Sequence, residues 1–213
     1  MNHYRMGGIV SDDLNPWLSR PTMPEVCAPP RVGLPVERGV GPQAPQRGVP
    51  APDHVDRLPT HLQSRPAPLW WLGAHGGAGE STLAALVPEW SAAGHGWPQT
   101  PGAPSPVVVV ARSNMRGLRA AQIAATQWAS GLVPHAQLVG LVIVADAPGR
   151  LPRPLREFAQ IVAGGFPRTW HVPWVEAWRF GESPDLSTAP RDVRRLVDDL
   201  KALPLPGAAG TTN

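Results

Sequence analysis

The chain has 213 residues, 42% of them hydrophobic, which is enough for one domain with a real core plus a tail. Its formal net charge is only +3, so charge alone does not indicate a nucleic-acid partner, and Lys201 is the single lysine. The single cysteine, Cys27, excludes an intrachain disulfide and a cysteine-based zinc cluster, and it fits a reducing, cytoplasmic location. Residues 138–147 form the longest apolar run, which is too short to span a bilayer, and the N-terminal residues lack the pattern of a signal peptide.

Residues 1–68 have the composition of a disordered, Pro-rich tail. They contain 13 of the 28 prolines, few large apolar residues and no sustained period of a helix or a strand. Such a segment cannot bury enough surface to offset the chain entropy that is lost on folding. An alternative is a partner-docking arm in which Trp17 and Leu18 act as anchors. We therefore expect the folded domain in residues 69–203, followed by a flexible tail at residues 204–213.

From residue 68 on, apolar runs alternate with amphipathic segments. Short apolar or β-branched runs predict four strands, at residues 68–74, 107–112, 138–146 and 168–175. Amphipathic patterns and stop signals predict four helices, at residues 79–94 with an interruption near Pro88, and at residues 115–131, 153–165 and 189–203. In the third helix we expect Leu155, Phe158, Ile161 and Val162 to face the core. The alternation favours an α/β fold with a compact parallel sheet of about four to five strands and helices on both faces.

The segment at residues 71–86, WLGAHGGAGESTLAAL, has the outline of a phosphate-binding loop. In such a loop, backbone N–H groups converge on an anion at the start of a helix, a lysine neutralises the phosphates, and a Ser or Thr hydroxyl binds magnesium. The glycines, the preceding strand and Ser81 fit that outline, but Glu80 stands where the lysine belongs. The candidate nucleotide-binding residues are Gly73, His75, Gly76, Gly77, Ala78, Gly79, Glu80, Ser81 and Thr82.

This loop resembles the deviant phosphate loop of the ParA/MinD-type ATPases, whose pattern is K-G-G-x-G-K-[ST]. Laid on that pattern, HGGAGEST puts His75 at the first, signature lysine, Glu80 at the second lysine and Ser81 at the magnesium ligand. The resemblance covers the loop strongly and residues 69–180 loosely. It implies a P-loop NTPase-like fold, binding of ATP and magnesium, and dimerisation around the nucleotide. For His75 the alternative is a turn residue that faces solvent.

A longer pattern, from WLGAHGGAGESTLA through GLVIVADAPGRLPRPLR to VPWVEAWR, looks like an actinobacterial family that is found near mobile and conjugative elements. That family has no assigned activity, so the resemblance supports the fold and names no catalytic residue. It adds the expectation of an accessory role in a mobile-element or DNA-transfer system.

The exchange of lysine for glutamate changes the local charge at the phosphates by two units. At about 4 Å and an effective dielectric constant near 20, each unit interaction is worth about 4 kcal/mol, so affinity for a triphosphate falls by several decades. Arg112, Arg116 and Arg119 are the basic residues that could reach the loop from other segments. We therefore predict a non-catalytic accessory or interaction module, with an ATPase that uses an atypical loop as the alternative.

Asp146 ends the apolar strand at residues 138–146 and resembles the Walker B aspartate that holds magnesium through water. Together with Ser81 it forms the candidate metal site. Two alternatives are a strand that reads the nucleotide base and an aspartate that caps a strand-to-loop turn. In each case we expect Asp146 near residues 76–81, because ligands bind at the carboxyl ends of the strands in such sheets.

The segment at residues 170–182, WHVPWVEAWRFGE, combines three tryptophans with an arginine. Its members Trp170, Trp174, Trp178 and Arg179 form a candidate interaction patch, because aromatic residues and arginine are enriched at protein interfaces. Packing in the core or at the sheet edge is the alternative. A further candidate is PGRLPRPLRE at residues 148–157, whose three arginines contact a phosphate or an acidic partner, or simply face solvent. We expect an unidentified protein partner and regard nucleic acid as less favoured.

Overall fold

The structure is a computed structural model that describes residues 41–102 and 104–204. Predictions made for residues 1–40, including the two anchor residues and the cysteine, lie outside this part of the chain, as do those for residues 205–213. Within the described ranges, no helix has the length and apolar character that a membrane span requires.

The strands form a five-stranded sheet and a separate two-stranded sheet. They are β1 (Thr60–Leu62), β2 (Trp70–Gly73), β3 (Ser91–Gly94), β4 (Trp97–Gln99), β5 (Ser105–Arg112), β6 (Ala136–Val144) and β7 (Thr169–Val172). The larger sheet has the order β3-β2-β5-β6-β7, and each neighbouring pair of strands is parallel. The predicted parallel α/β sheet is thereby confirmed.

The central strands are buried on both sides, as their continuous apolar sequence requires. In β5 the run VVVV at residues 107–110 is fully buried, and in β6 only Gln137 is exposed. Because successive side chains of a strand point to opposite faces, Trp70 packs into the core on one face of the sheet and Trp71 into the core on the other. The sheet therefore separates two hydrophobic cores.

Helices cover both of these cores. The five α-helices of the described ranges are α1 (Glu80–Ala84), α2 (Met115–Ala129), α3 (Arg153–Ala163), α4 (Glu176–Arg179) and α5 (Arg191–Lys201). The apolar faces of α2 and α3 pack into the core that contains Trp70, and those of α1 and α5 pack into the core that contains Trp71. The prediction of helices on both faces is confirmed.

The inward face of α3 differs from the prediction at one residue. Val162 is buried and Phe158 is partly buried, but Ile161 is 68% exposed, so its predicted place in the core is wrong. Each residue of an α-helix advances by about 100°, which places Leu155, Ala159 and Val162 on one stripe and Ile161 to the side of it. Ala159 takes the inward position instead.

The structure also corrects the predicted helix at residues 79–94. α1 ends at Ala84, and β3 forms an edge strand of the sheet where the helix was expected to continue. The Ser91 N–H donates a hydrogen bond to the Leu69 carbonyl at 3.0 Å, and β3 then pairs with β2 in parallel. Ser-Ala-Ala-Gly carries no strand pattern of its own, so pairing with a distant segment decides its conformation.

Residues 41–68 contact the domain, which differs from the tail expected there. The Gln46 N–H donates to the Ala129 carbonyl at 2.9 Å, and β1 pairs in parallel with β4. The buried amide of Gln127 accepts from the Leu58 N–H at 3.0 Å and donates to the Leu58 carbonyl at 2.9 Å, as a neighbouring strand would. The folded region therefore includes residues 41–68 as well as the predicted domain.

Candidate functional site

The glycine loop follows β2 at the point where the strand order of the sheet reverses. From β2 the chain passes to β3 on one side and then crosses to β5 on the other side. In open α/β sheets, ligands bind in the crevice that such a reversal opens at the carboxyl ends of the strands. Residues 74–79 lie on one side of this crevice and Arg112, the last residue of β5, lies on the other. What occupies the crevice therefore decides what the loop can bind.

Glycine residues allow the loop to fold tightly. Gly77 and Gly79 have φ values of 74° and 108°, in the left-handed region that favours glycine. A Cβ atom at Gly73 would lie 2.8 Å from the Glu80 carboxylate and 2.9 Å from the His95 ring, so a side chain has no room there. The other predicted loop residues are the exposed Gly76 and Ser81, the partly buried Thr82 and the buried Ala78. The loop thus wraps around the Glu80 side chain.

Glu80 stands in place of the phosphate-binding lysine and is buried, with 8% of its surface exposed. Its Oε2 accepts a hydrogen bond from the Gly79 N–H at 3.1 Å, so the carboxylate occupies an N–H group that a phosphate would use. Its Oε1 lies 3.9 Å from Nε2 of His95, and Nδ1 of His95 bonds the Gly73 carbonyl at 3.2 Å. The carboxylate is therefore part of the packing inside the protein.

His75 stands in place of the signature lysine and connects the loop to β5. Its Nε2 accepts from the Arg112 backbone N–H at 3.1 Å, and its Nδ1 lies 2.9 Å from the Gly76 carbonyl. Because a carbonyl only accepts, Nδ1 is the donor nitrogen of the ring in this arrangement. Gly117 of α2 makes room for it, since a Cβ atom there would lie 2.9 Å from Nε2. His75 thus belongs to the crevice instead of a solvent-facing turn.

The Arg112 guanidinium lies across the loop. Its Nε donates to the Gly77 carbonyl at 3.0 Å, and its Nη1 donates to the Ala145 carbonyl at 3.1 Å. Ala145 directly follows β6, so one side chain joins the loop after β2 to the ends of both β5 and β6. Together, His75 and Arg112 fill the crevice at the reversal of strand order with side chains of the chain itself.

Charges of both signs surround the Arg112 guanidinium. Burial lowers the pKa of Arg112 most, and the positive charge of Arg179 lowers it further, whereas Asp146 and Glu80 raise it. An arginine keeps its proton at neutral pH even when its pKa falls moderately. A positive charge therefore lies beside the loop although both lysines of the ATPase pattern are absent, and two carboxylates accompany it.

Asp146 lies at the carboxyl end of the sheet, where its position after β6 places it. Its side chain is exposed, and its backbone N–H donates to Oγ of Ser113 at 3.0 Å. Ser81 is exposed at the start of α1. In the described part of the chain, no three His, Cys, Asp or Glu side chains are grouped so that they could hold a metal ion. Magnesium binding by Ser81 and Asp146 stays a prediction.

The arrangement does not fit ATP and magnesium held as the resemblance implies. The Gly79 N–H already has Glu80 as its acceptor, and two of the Arg112 donors already have carbonyl acceptors. A triphosphate would also meet the negative charge of the buried Glu80 carboxylate. The hydrogen bonds of His75 and Arg112 instead connect the carboxyl ends of β2, β5 and β6.

The predicted interaction patch is brought together only in part. Trp170 is 3% exposed and donates from Nε1 to Asp199 of α5 at 3.1 Å, so it packs in the core and does not belong to a surface patch. The Arg179 guanidinium lies 4.6 Å from the centre of the Trp174 ring, which is a cation–π contact. Trp178 is partly buried against the core that α5 covers.

His95 and Gly117 contribute to the site, and the sequence does not point to either of them. His95 follows β3, which itself has no sequence pattern, and Gly117 lies inside a predicted helix. The sequence does indicate that Arg112 lies near the loop, because it ends a predicted strand and the carboxyl ends of parallel strands meet at one edge of a sheet. Its bond to the loop nevertheless depends on β5 lying beside β2, which the sequence does not reveal.

The fold and the site define a parallel α/β domain with a glycine loop at the reversal of strand order. The chain belongs to the Family of unknown function (DUF6668), whose family model matches residues 67–197. The match includes the glycine loop and all five strands of the larger sheet. No curated protein and no solved structure matches the chain. The function is therefore argued from the site itself.

Proposed function

We propose that the chain is a non-catalytic accessory or interaction module in which the degenerate phosphate loop serves as a structural joint. The observation that carries this proposal is the occupied crevice between the ends of β2 and β5. His75 accepts there from the Arg112 N–H, and the Arg112 guanidinium donates to the Gly77 carbonyl. A ligand at the loop would compete with these contacts.

The energies of these contacts support a structural role. A hydrogen bond that involves a charged group contributes about 1.5–3 kcal/mol, and the loop has such bonds at Glu80 and at Arg112. Admitting a triphosphate requires several of them to break. Repulsion by the Glu80 carboxylate adds about 4 kcal/mol for each unit charge at close range. Both effects oppose nucleotide binding and favour the closed loop.

A second candidate is an ATP-binding protein, or an ATPase, with an atypical loop. One observation favours it: Nη2 of Arg112 lies 3.7 Å from the position that a Cβ atom at Gly79 would take. For this candidate Arg112 supplies the positive charge that the absent lysines would have supplied. Ser81 would then bind the magnesium ion.

Calorimetric titration with ATP and magnesium separates the two candidates. For the wild-type chain we expect no saturable binding, because the crevice is filled and the loop carries Glu80. The comparison variant is Ser81→Ala, which removes the candidate magnesium ligand at an exposed position. Tight binding to the wild type that Ser81→Ala abolishes would contradict the proposal and establish the second candidate.

The variant Glu80→Lys tests whether charge or the filled crevice prevents binding. We expect Glu80→Lys to remain unable to bind ATP, since His75 and Arg112 keep the crevice filled. Glu89→Lys is the matched control, because it makes the same charge change at an exposed residue beyond α1. Binding in Glu80→Lys and not in Glu89→Lys would mean that charge alone blocks the loop and that His75 and Arg112 do not close it.

Other parts of the hypothesis rest on the sequence. The setting in a mobile-element or DNA-transfer system comes from the resemblance alone, and the cytoplasmic location comes from the single cysteine. A protein partner would use the part of the aromatic patch that remains accessible, with Arg179 stacked on Trp174. Dimerisation around nucleotide requires the second candidate, because a chain that binds no ATP cannot dimerise around it.

A further inference from the structure

Arginines from three segments of the sequence gather on one side of the molecule. α2 and α3 contact each other and pack into the same core, so they lie side by side on one face of the sheet. Both follow strands of a parallel sheet, so both begin near its carboxyl edge. The first two turns of α2, the first turn of α3 and the loop before α3 carry five exposed arginines, which we call the arginine surface: Arg116, Arg119, Arg150, Arg153 and Arg156.

The charge of the domain is distributed unevenly. Residues 105–168, which include α2 and α3, contain seven arginines and only two carboxylates, Asp146 and Glu157. Residues 169–204, which include α5 on the opposite face, contain five basic and six acidic residues. Five of these seven arginines form the arginine surface, so the net charge of +3 for the whole chain hides a local excess of positive charge.

The charges of the arginine surface have few partners within the protein. Among the described residues, Glu157 pairs with Arg153 at 2.7 Å, and both side chains are largely exposed. α2 contains no acidic residue at all. Like charges on neighbouring helices repel each other, so this distribution suits a polyanion that neutralises several of them at once.

We propose that the arginine surface binds the phosphate backbone of duplex nucleic acid without sequence preference. Guanidinium groups bind phosphate oxygens through paired N–H donors, and a row of them follows the regular charges of a duplex. Binding of this kind goes beyond the accessory role proposed for the chain. It does not depend on the state of the glycine loop, because none of the five arginines takes part in the loop's hydrogen bonds.

Single strands and protein partners fit the arginine surface less well. Single-stranded nucleic acid binds through bases stacked on exposed aromatic rings, and protein interfaces have an aromatic or apolar centre. The aromatic residues of α2 and α3 are Trp128, which is buried, and Phe158, which is partly buried. Phosphate contacts are therefore the main chemistry that this surface offers.

A membrane surface fits less well for a related reason. A helix that lies in a membrane interface inserts an apolar face between the lipids. The apolar faces of α2 and α3 are already packed against the sheet, and their large exposed apolar residues, Met115 and Ile161, lie on different helices. Anionic lipid vesicles are nevertheless a useful competitor in the test.

Fluorescence anisotropy with a labelled, mixed-sequence duplex DNA tests the proposal on the full chain without nucleotide. We expect the logarithm of the binding constant to fall linearly with the logarithm of the salt concentration. A duplex of scrambled sequence should bind with the same affinity. Arg116→Gln with Arg119→Gln should reduce the salt slope by about two units, and adding Arg153→Gln with Arg156→Gln by about two more. The corresponding lysine variants should keep most of the slope, since they keep the charge.

The matched control is Arg191→Gln with Arg195→Gln, two exposed arginines of α5 on the opposite face, which should leave the slope unchanged. Circular dichroism melts establish that every variant is folded. Equal losses in the α2 variant and the α5 control would overturn the proposal, as would binding to anionic vesicles without binding to duplex DNA. Since ATP is absent throughout, the result is independent of the titration that tests the accessory role.

Discussion

The glycine loop and the arginine surface both lie toward the carboxyl end of the sheet, yet they use their charges differently. In the loop, the charged groups of Glu80 and Arg112 have hydrogen-bond partners within the protein and are buried or half-buried. On the arginine surface the guanidinium groups are exposed, and the first two turns of α2 carry two of them without an acidic neighbour on that helix.

This difference shows that a motif is not enough to locate a binding site. A charge taken out of water must be paired, so the groups of Glu80 and Arg112 that already bond within the protein are less available to a ligand. Exposed charges of one sign keep their hydration and remain available to a partner. By that criterion the loop, which has the more conspicuous sequence, is the less available of the two regions.

The largest effect on stability is expected at Gly117, where α2 meets the crevice. A Cβ atom there would lie 2.4 Å from the Arg112 carbonyl oxygen, so Gly117→Ala forces the backbone of α2 away from β5. We expect the free energy of unfolding in urea to fall by about 2–3 kcal/mol, although alanine favours helices. Gly164→Ala, where the nearest contact is an ordinary 3.4 Å, should change it by less than about 0.5 kcal/mol. Equal effects would mean that the close packing at Gly117 is unimportant.

Removal of the Arg112 guanidinium should have the next largest effect. Arg112→Gln loses the bonds to the Gly77 and Ala145 carbonyls, and we expect a loss of about 2 kcal/mol in the same urea experiment. Arg119→Gln, an exposed position on α2, serves as the control. Amide hydrogen exchange in the glycine loop should also become faster in Arg112→Gln. An unchanged exchange rate would mean that the Arg112 side chain does not stabilise the loop.

A smaller effect is expected at Glu80. Glu80→Ala removes the acceptor of the Gly79 N–H and should cost about 1–2 kcal/mol of folding free energy. Glu80→Gln should cost less, because the amide oxygen can still accept that bond. Glu89→Ala, at an exposed residue, is the control for loss of a carboxylate. If Glu80→Ala proved more stable than the wild type, the carboxylate would be a strained group kept for a ligand.

The smallest effect on stability is expected on the arginine surface. Arg116→Gln with Arg119→Gln should change the free energy of unfolding by less than about 0.5 kcal/mol, because both side chains are exposed. The same pair of substitutions should change the salt dependence of DNA binding. If this double variant lost as much stability as Arg112→Gln, the arginines of the surface would be structural, and the glycine loop and the arginine surface would not differ in the way described.

Parts of the fold could be predicted from local sequence. The run at residues 107–110 and the apolar run in β6 predict central strands because side chains buried on both faces leave a continuous apolar pattern. β3 could not be predicted in that way, and the helix that the pattern at residues 79–94 predicts is wrong beyond Ala84. The surface position predicted for Trp170 is wrong for a similar reason, since its partner Asp199 lies far along the chain.

The sequence by itself determined the α/β class, the glycine loop after the first main strand and the absence of a lysine from that loop, because each is a property of neighbouring residues. Only the tertiary structure decided that Arg112 and His75 fill the crevice and that five arginines share one surface. Both results depend on strand order and helix packing, which bring together segments distant in the chain. The fold therefore decides that Glu80 and Arg112 have partners within the protein and that the arginine surface has few, since a Coulomb interaction depends on distance in space and not on distance along the chain.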